Sequence, residues 1–232
     1  MTFRTLSLTT ALVLASTLAY AQAPPAAPAA APAPQGPPPQ PPLGPNQWRI
    51  DTAHSTAAFT VTHLMVSTVH GAFGKVSGLI TYDGKDLSTL SADVTIDATS
   101  ISTNNERRDA DLRSPNFFDV ATHPTLTFKS KKATAAGAGK FKLVGDLTMH
   151  GVTKEVTLDV TAPSKIIKGM RGESRVGASA STKLNRQDFG LTFNAAVEGV
   201  GAVVSDTVAI TIDLEAMFTP TVAAPPTAPA KK

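Results

Sequence analysis

The chain has no cysteine. That excludes a disulfide framework, thiolate chemistry and a lipid-modified cysteine. If the chain enters an oxidising compartment, its core alone must hold it together. After residue 21 no apolar stretch is long enough to span a bilayer as a helix, so no transmembrane segment is expected in the mature chain. There is no long Lys/Arg run. Arg4, Lys231 and Lys232 lie outside the central body, and its remaining 18 basic residues match its 18 acidic ones. A body without net charge has no electrostatic footprint for nucleic acid. The sequence also lacks a G-x-S-x-G elbow, a P-loop and a G-x-G-x-x-G turn. His54, His63, His70, His123 and His150 match no familiar zinc spacing. No catalytic residue, metal or cofactor is therefore expected, and the protein is not expected to be an enzyme.

What is present begins with a targeting segment over residues 1–21. Arg4 supplies the positive start, Leu6 to Leu18 the apolar stretch, and Ala19-Tyr20-Ala21 a small-x-small cleavage site. Export with cleavage after Ala21 is expected, to the periplasm or the exterior. Residues 22–46 are Pro- and Ala-rich. Eleven of the 18 prolines fall between Pro24 and Pro45. Such a segment has little to bury and is expected to be a disordered, extended linker. Residues 220–232, with Pro225, Pro226 and Pro229, make a shorter disordered tail. Residues 47–219 remain as one domain.

That body reads as a series of half-buried strands with period two. Phe59 and Val61 alternate with Thr60 and Thr62; Val94 and Ile96 alternate with Asp93 and Thr95. Similar runs surround Val76, Phe128, Phe141, Leu158, Ala178 and Ile210. Turn signals separate them, such as Asp83-Gly84, Gly137-Ala138-Gly139 and His150-Gly151. No helix is long enough to cover a sheet. Eight or so such strands bury their apolar faces on each other, as a closed antiparallel barrel or a sandwich. Short turns between successive runs favour the barrel. The small residues Gly74, Gly78, Ala92, Ala98, Ala178 and Ala180 favour a cavity over a filled interior, since eight strands leave room for one small ligand.

One stretch breaks the alternation. Thr103 and Glu106 form a capping box, and Pro115 stops a helix, so the pattern predicts a short helix over about Asn104–Arg113. It is polar and is followed by Phe117 and Phe118. Rings turned inward and charges turned to water would make it a lid; a solvated crossover with core phenylalanines is the alternative.

Four segments together resemble the YceI-like family of exported lipocalin-like barrels that bind polyisoprenoid or other long-chain lipids. They are WRIDTAHSTAAFTVTHLMVSTVHGAF (Trp48 to Phe73), the stretch from Arg108 to Phe128, GDLTMHGVTKEVTL (Gly145 to Leu158) and LNRQDFGL (Leu184 to Leu191). The chain departs from the pattern at Asp111, where the family usually has His. The resemblance implies an all-β fold: an extended antiparallel eight-stranded lipocalin-like barrel with one short helix. It implies a long-chain amphiphile as ligand, and it leaves room for a homodimer. The apolar ligand-binding set is then Phe59, Val61, Val94, Ile96, Phe117, Phe118, Phe128, Leu158, Ala178 and Ile210. His63, Arg107, Arg108 and Asp109 are the candidates for a polar mouth. An enzyme acting on a bound lipid, or a structural or stress protein with a filled barrel, are the alternatives.

Overall fold

The computed structural model describes residues 41–218, apart from 138, 162–163, 171 and 198–200. The expected signal segment, most of the Pro-rich linker and the tail lie outside the described residues.

Fourteen strands are described, and the long ones form a single antiparallel sheet closed on itself. Three of the eight staves of the barrel are each built from two strands laid end to end. β1 (Gln47–Ile50) and β2 (Thr56–His63) follow the same edge of β14 (Val204–Phe218). β3 (Ser67–Phe73) and β4 (Val76–Thr81) make the second stave, β5 (Ser91–Asp97) and β6 (Ile101–Ser102) the third. The others are β7 (Thr125–Ala135), β8 (Lys140–Met149), β9 (Val152–Thr161), β11 (Ser174–Asn185) and β14. Each pairs with the next in chain order, and β14 closes on both β11 and the first stave. β10 (Ile167–Lys168) sits in the β9–β11 connection, and β12 (Ala196–Val197) with β13 (Gly201–Ala202) forms a separate small ribbon.

Alternation does what the sequence pattern requires. Ala57, Val76, Val94, Leu126, Phe128, Phe141, Leu143, Val156, Leu158 and Val160 are buried, while their strand neighbours face water. Thr60 and Thr127, one step along, are less enclosed.

Three expectations about small residues are corrected. Gly78 does not make cavity space. Its φ is +144°, and a Cβ there would stand 2.2 Å from the Asp93 carbonyl oxygen of the neighbouring strand. Only glycine tolerates both the dihedral and the approach. Gly74 is exposed, and a methyl group added there would meet nothing within 4 Å. Ala98 is fully buried, but in a one-turn 3-10 segment that packs the core rather than lining space. Gly78→Ala is therefore expected to lose roughly 1–3 kcal/mol in urea unfolding, the range for a residue forced into a disallowed backbone region. Gly74→Ala is the control and should leave the midpoint almost unchanged.

The helix is shorter than the pattern implies. α1 spans Glu106–Arg113, and its N-cap is Asn105, whose side chain accepts from the Arg108 N–H at 3.0 Å. The Thr103–Glu106 capping box does not form. Asn104 has a left-handed φ of 58°, which turns Thr103 away from the helix axis and inward. Asn105 then sits at the right offset to cap, a role asparagine fills well. The stop falls where expected: Ser114, before Pro115, is extended with ψ 170°.

Candidate functional site

The barrel encloses a cavity of about 770 Å³. That lies in the range of small-molecule sites, which are apolar concavities with a few placed polar groups. Every apolar residue of the expected ligand set lines it: Phe59, Val61, Val94, Ile96, Phe117, Phe118, Phe128, Leu158, Ala178 and Ile210.

One end of the cavity is closed. The segment after α1 brings Phe118 edge-on against Phe73, with ring centroids 5.4 Å apart, and Phe117 against Phe193 at 4.9 Å. The turn after β11 adds Phe189 and Leu191, both buried. A left-handed Gly190 (φ 79°) ends that turn. The rings close the barrel while Arg107 and Asp111 stay exposed.

The other end is where the strands β1 and β14 begin and finish. There the lining includes exposed Asp83, Gly84, Ser164 and Ile166, with Asn46, Trp48 and Tyr82 beside them. The mouth is thus opposite α1. The β9–β11 seam is short. It pairs over only Ser179↔Thr161, Ala180↔Val160 and Ser181↔Asp159, whereas β11 and β14 pair along the whole of β11. Beyond the seam the edge of β11 is taken up by its own connection: the Ser164 N–H donates to the Gly177 carbonyl at 2.7 Å, and the Gly177 N–H donates to Ser164 Oγ at 3.0 Å.

The polar residues expected at a mouth stand elsewhere. His63 ends β2 on the α1 side, opposite Ser67. Arg107 and Arg108 border a small surface hollow outside the barrel. Asp109 is buried. Its carboxylate accepts the Thr103 N–H at 2.8 Å and the Thr103 hydroxyl, while Arg108 donates to Thr103 Oγ1 at 2.7 Å and to the Thr103 carbonyl at 3.0 Å. Burial works against ionisation of Asp109, but the hydrogen bonds from Thr103 outweigh it and hold the pKa below the usual carboxylate value. Arg113 donates to the carbonyls of Thr99 and Ile101. Arg108 and Asp109, read as part of a headgroup site, therefore fasten the helix to the barrel floor, and Arg107 stays exposed.

Two further motifs prove architectural. Asp51, at the break between β1 and β2, accepts from the Ala53 N–H, His54 Nδ1 and Arg175. Arg175 also meets Glu173 and Glu215. Asp51, His54 and Glu215 lie within 4.8 Å of one another, a spacing able to hold a metal ion. The Arg175 guanidinium already bridges the two carboxylates, so the cation there is the protein's own. The cluster ties the broken stave to β11 and β14. Arg186 does similar work at the closed end. It is 5% exposed and donates to the carbonyls of Ser205, Leu191, Phe193 and Val204 and to Asp206.

Comparison with known proteins places this geometry. The family model of the YceI-like domain matches residues 48–216. A UPF0312 protein of Staphylococcus aureus strain N315 is 39% identical over 153 residues, 66% of this chain and 86% of the relative. Among solved structures, the Campylobacter jejuni YCEI protein superposes with a TM-score of 0.58 at 32% identity, covering 68% of this chain and 90% of that one. Burkholderia cenocepacia BcnA gives a TM-score of 0.60 at 24% identity over 72% and 98%. A polyisoprenoid binding domain from Saccharophagus degradans gives 0.53 at 19% identity over 74% and 98%. The last two support the fold alone.

Proposed function

Because this chain belongs to the YceI-like family, we propose that it is an exported carrier of a long-chain amphiphile, an isoprenoid or a similar lipid, held with its tail in the barrel lumen. The observation that carries this is the cavity of about 770 Å³ with its almost wholly apolar lining. A chain that enters it gains up to roughly 0.8 kcal/mol for each CH₂ taken from water. The head stays at the open end, where Tyr82, Asp83 and Ser164 offer hydroxyl and carboxylate groups. The Saccharophagus degradans neighbour, alike in fold, is named for polyisoprenoid binding. A carrier role, rather than turnover of the lipid, fits the polar groups that reach the lumen: the charged group at the closed end, Arg186, spends its donors on backbone carbonyls and Asp206.

Ala178 provides the test. It lines the cavity, opposite Leu214 on β14. Ser179, one residue along, also borders the cavity, but it is exposed and its hydroxyl donates at 2.7 Å to Asp213, which does not line it. Ala178→Phe is expected to fill ligand space and remove co-purified or added lipid, measured by native mass spectrometry. The fold should survive with at most roughly 1–3 kcal/mol of overpacking. Ser179→Phe should keep its lipid. Equal occupancy in the two variants, in a protein that melts normally, would sink the lumen-carrier reading.

A further inference from the structure

The connection between β9 and β11 carries Lys165-Ile166-Ile167-Lys168-Gly169-Met170. Its apolar side chains do not pack. Ile166 is 56% exposed, Ile167 60% and Met170 fully exposed. Apolar groups clustered at a loop tip and held in water mark a surface that something else covers. Lys165 and Lys168 bracket the two isoleucines, and both lysines are exposed; Lys168 also donates to Ser174 Oγ at 2.9 Å.

Three observations say what covers the loop. First, it lies at the mouth: Ile166 both lines the cavity and projects from the rim. Second, the charge around the mouth favours an anionic surface. Lys85, in the β4–β5 connection, and Lys140, at the start of β8, stand exposed at the same end. The acids on that rim, Asp83 and Asp86, turn carboxylate oxygens onto backbone N–H groups of their own loop. The closed end, by contrast, exposes charges of both signs, Glu106, Asp111 and Asp188 beside Arg107 and Arg108. Third, a comparison within the fold separates this loop from ordinary exposed apolar residues. Met65 and Val66, at the β2–β3 turn, are just as bare, at 69% and 83%, but they line no part of the cavity. No lysine or arginine lies between His63 and Gly74. Aliphatic tips flanked by lysines are the chemistry of a protein that rests on a bilayer, with the tips below the headgroups and the cations among anionic ones.

We propose that Lys165–Met170 is a membrane-contact loop that seats the open end of the barrel on an anionic lipid surface, so that a chain passes between bilayer and lumen without crossing water. The proposal rests on the carrier reading for its purpose, but its binding step is measured separately. Full-length protein is floated with vesicles of phosphatidylcholine alone and of equal parts phosphatidylcholine and phosphatidylglycerol. Wild type is expected to float with the anionic vesicles. Ile167→Ser combined with Met170→Ser should reduce the bound fraction at least tenfold. Lys165→Glu with Lys168→Glu should abolish the preference for phosphatidylglycerol. Met65→Ser with Val66→Ser should float as wild type does. All variants share the same termini, so any contribution from them cancels. In parallel, lumen occupancy by hexadecanol, delivered from detergent, is read by native mass spectrometry. Occupancy without vesicle binding in the wild type, or binding that the loop variants leave unchanged, overturns the docking proposal. Loop-dependent vesicle binding without occupancy upholds it and overturns the carrier reading.

Discussion

Replacing Arg186 with methionine is expected to cost roughly 3–5 kcal/mol, the loss that follows when one partner of a buried charged network is removed. The guanidinium is buried and acts as the donor for four main-chain carbonyls on both sides of the β11–β14 connection. Methionine has comparable reach and no donor. The carbonyls of Leu191, Phe193 and Ser205 would lose this donor, while that of Val204 keeps the Asn194 side-chain amide at 2.9 Å, and each carbonyl left enclosed carries its own desolvation penalty. In a domain of this size each kcal/mol moves the midpoint by about 2–4 °C, so the melt should fall by about 6–20 °C. Arg186→Lys should recover only part of this, because an ammonium is a point charge and cannot span the carbonyls as a planar fork does. Circular dichroism melts of the two variants decide the matter. A methionine variant that melts with wild type would show that water or rearranged backbone satisfies those carbonyls.

The second large effect concerns Asp109 and acid. Its carboxylate is held below the usual carboxylate range, with burial opposed and outweighed by the bonds from Thr103. A depressed folded-state pKa contributes stability that is fully present above the unfolded value and is lost as pH falls through the folded one. Asp51 is depressed in the same sense: burial again opposes, and the contacts with His54, Ala53 and Arg175 prevail. The wild-type midpoint should therefore hold steady from neutral pH down to about 4 and then drop. Asp109→Asn removes the charge but keeps an acceptor. It should cost roughly 1–3 kcal/mol at neutral pH, and the gap to wild type should narrow as both are taken to about pH 3. Melts across that range give the answer. A gap that stays constant with pH would mean that Asp109 matters for shape and not for charge.

Much of this architecture is legible from period-two patterning, because a strand in a closed barrel has one wet face and one dry one. The runs around Val94, Phe128, Leu158 and Ile210 point inward as read. The interruptions are not legible. Nothing in the alternation of Trp48 to His63 shows that one stave breaks at Asp51, since the break is held by Arg175, 124 residues away in sequence. Gly78 reads as a small inward residue; the approach of the Asp93 carbonyl that demands it belongs to the neighbouring strand. The mouth is misplaced for a related reason. Charge on a short helix followed by aromatics suits either a gate or a fastening, and the choice depends on where Thr103 points. Its burial converts Arg108 and Asp109 into fasteners. The lumen is legible because burial follows local pattern, while the placement of polar groups depends on contacts distant in sequence.

The closure of the barrel by β14 on both β11 and the β1–β2 stave has a kinetic side. Arg49 pairs with Met217, so the contact that shuts the cylinder joins nearly the two extremes of the described chain. Such long-range pairing forms slowly, because the loop it closes costs entropy before any neighbouring contact repays it. Without β14 in place, the first seven staves can make only an open sheet with two bare edges. A sheet open in that way would leave the lumen-facing side chains accessible to any lipid or chaperone nearby. A chain that is loaded while it folds would meet its cargo then, before the wall is complete.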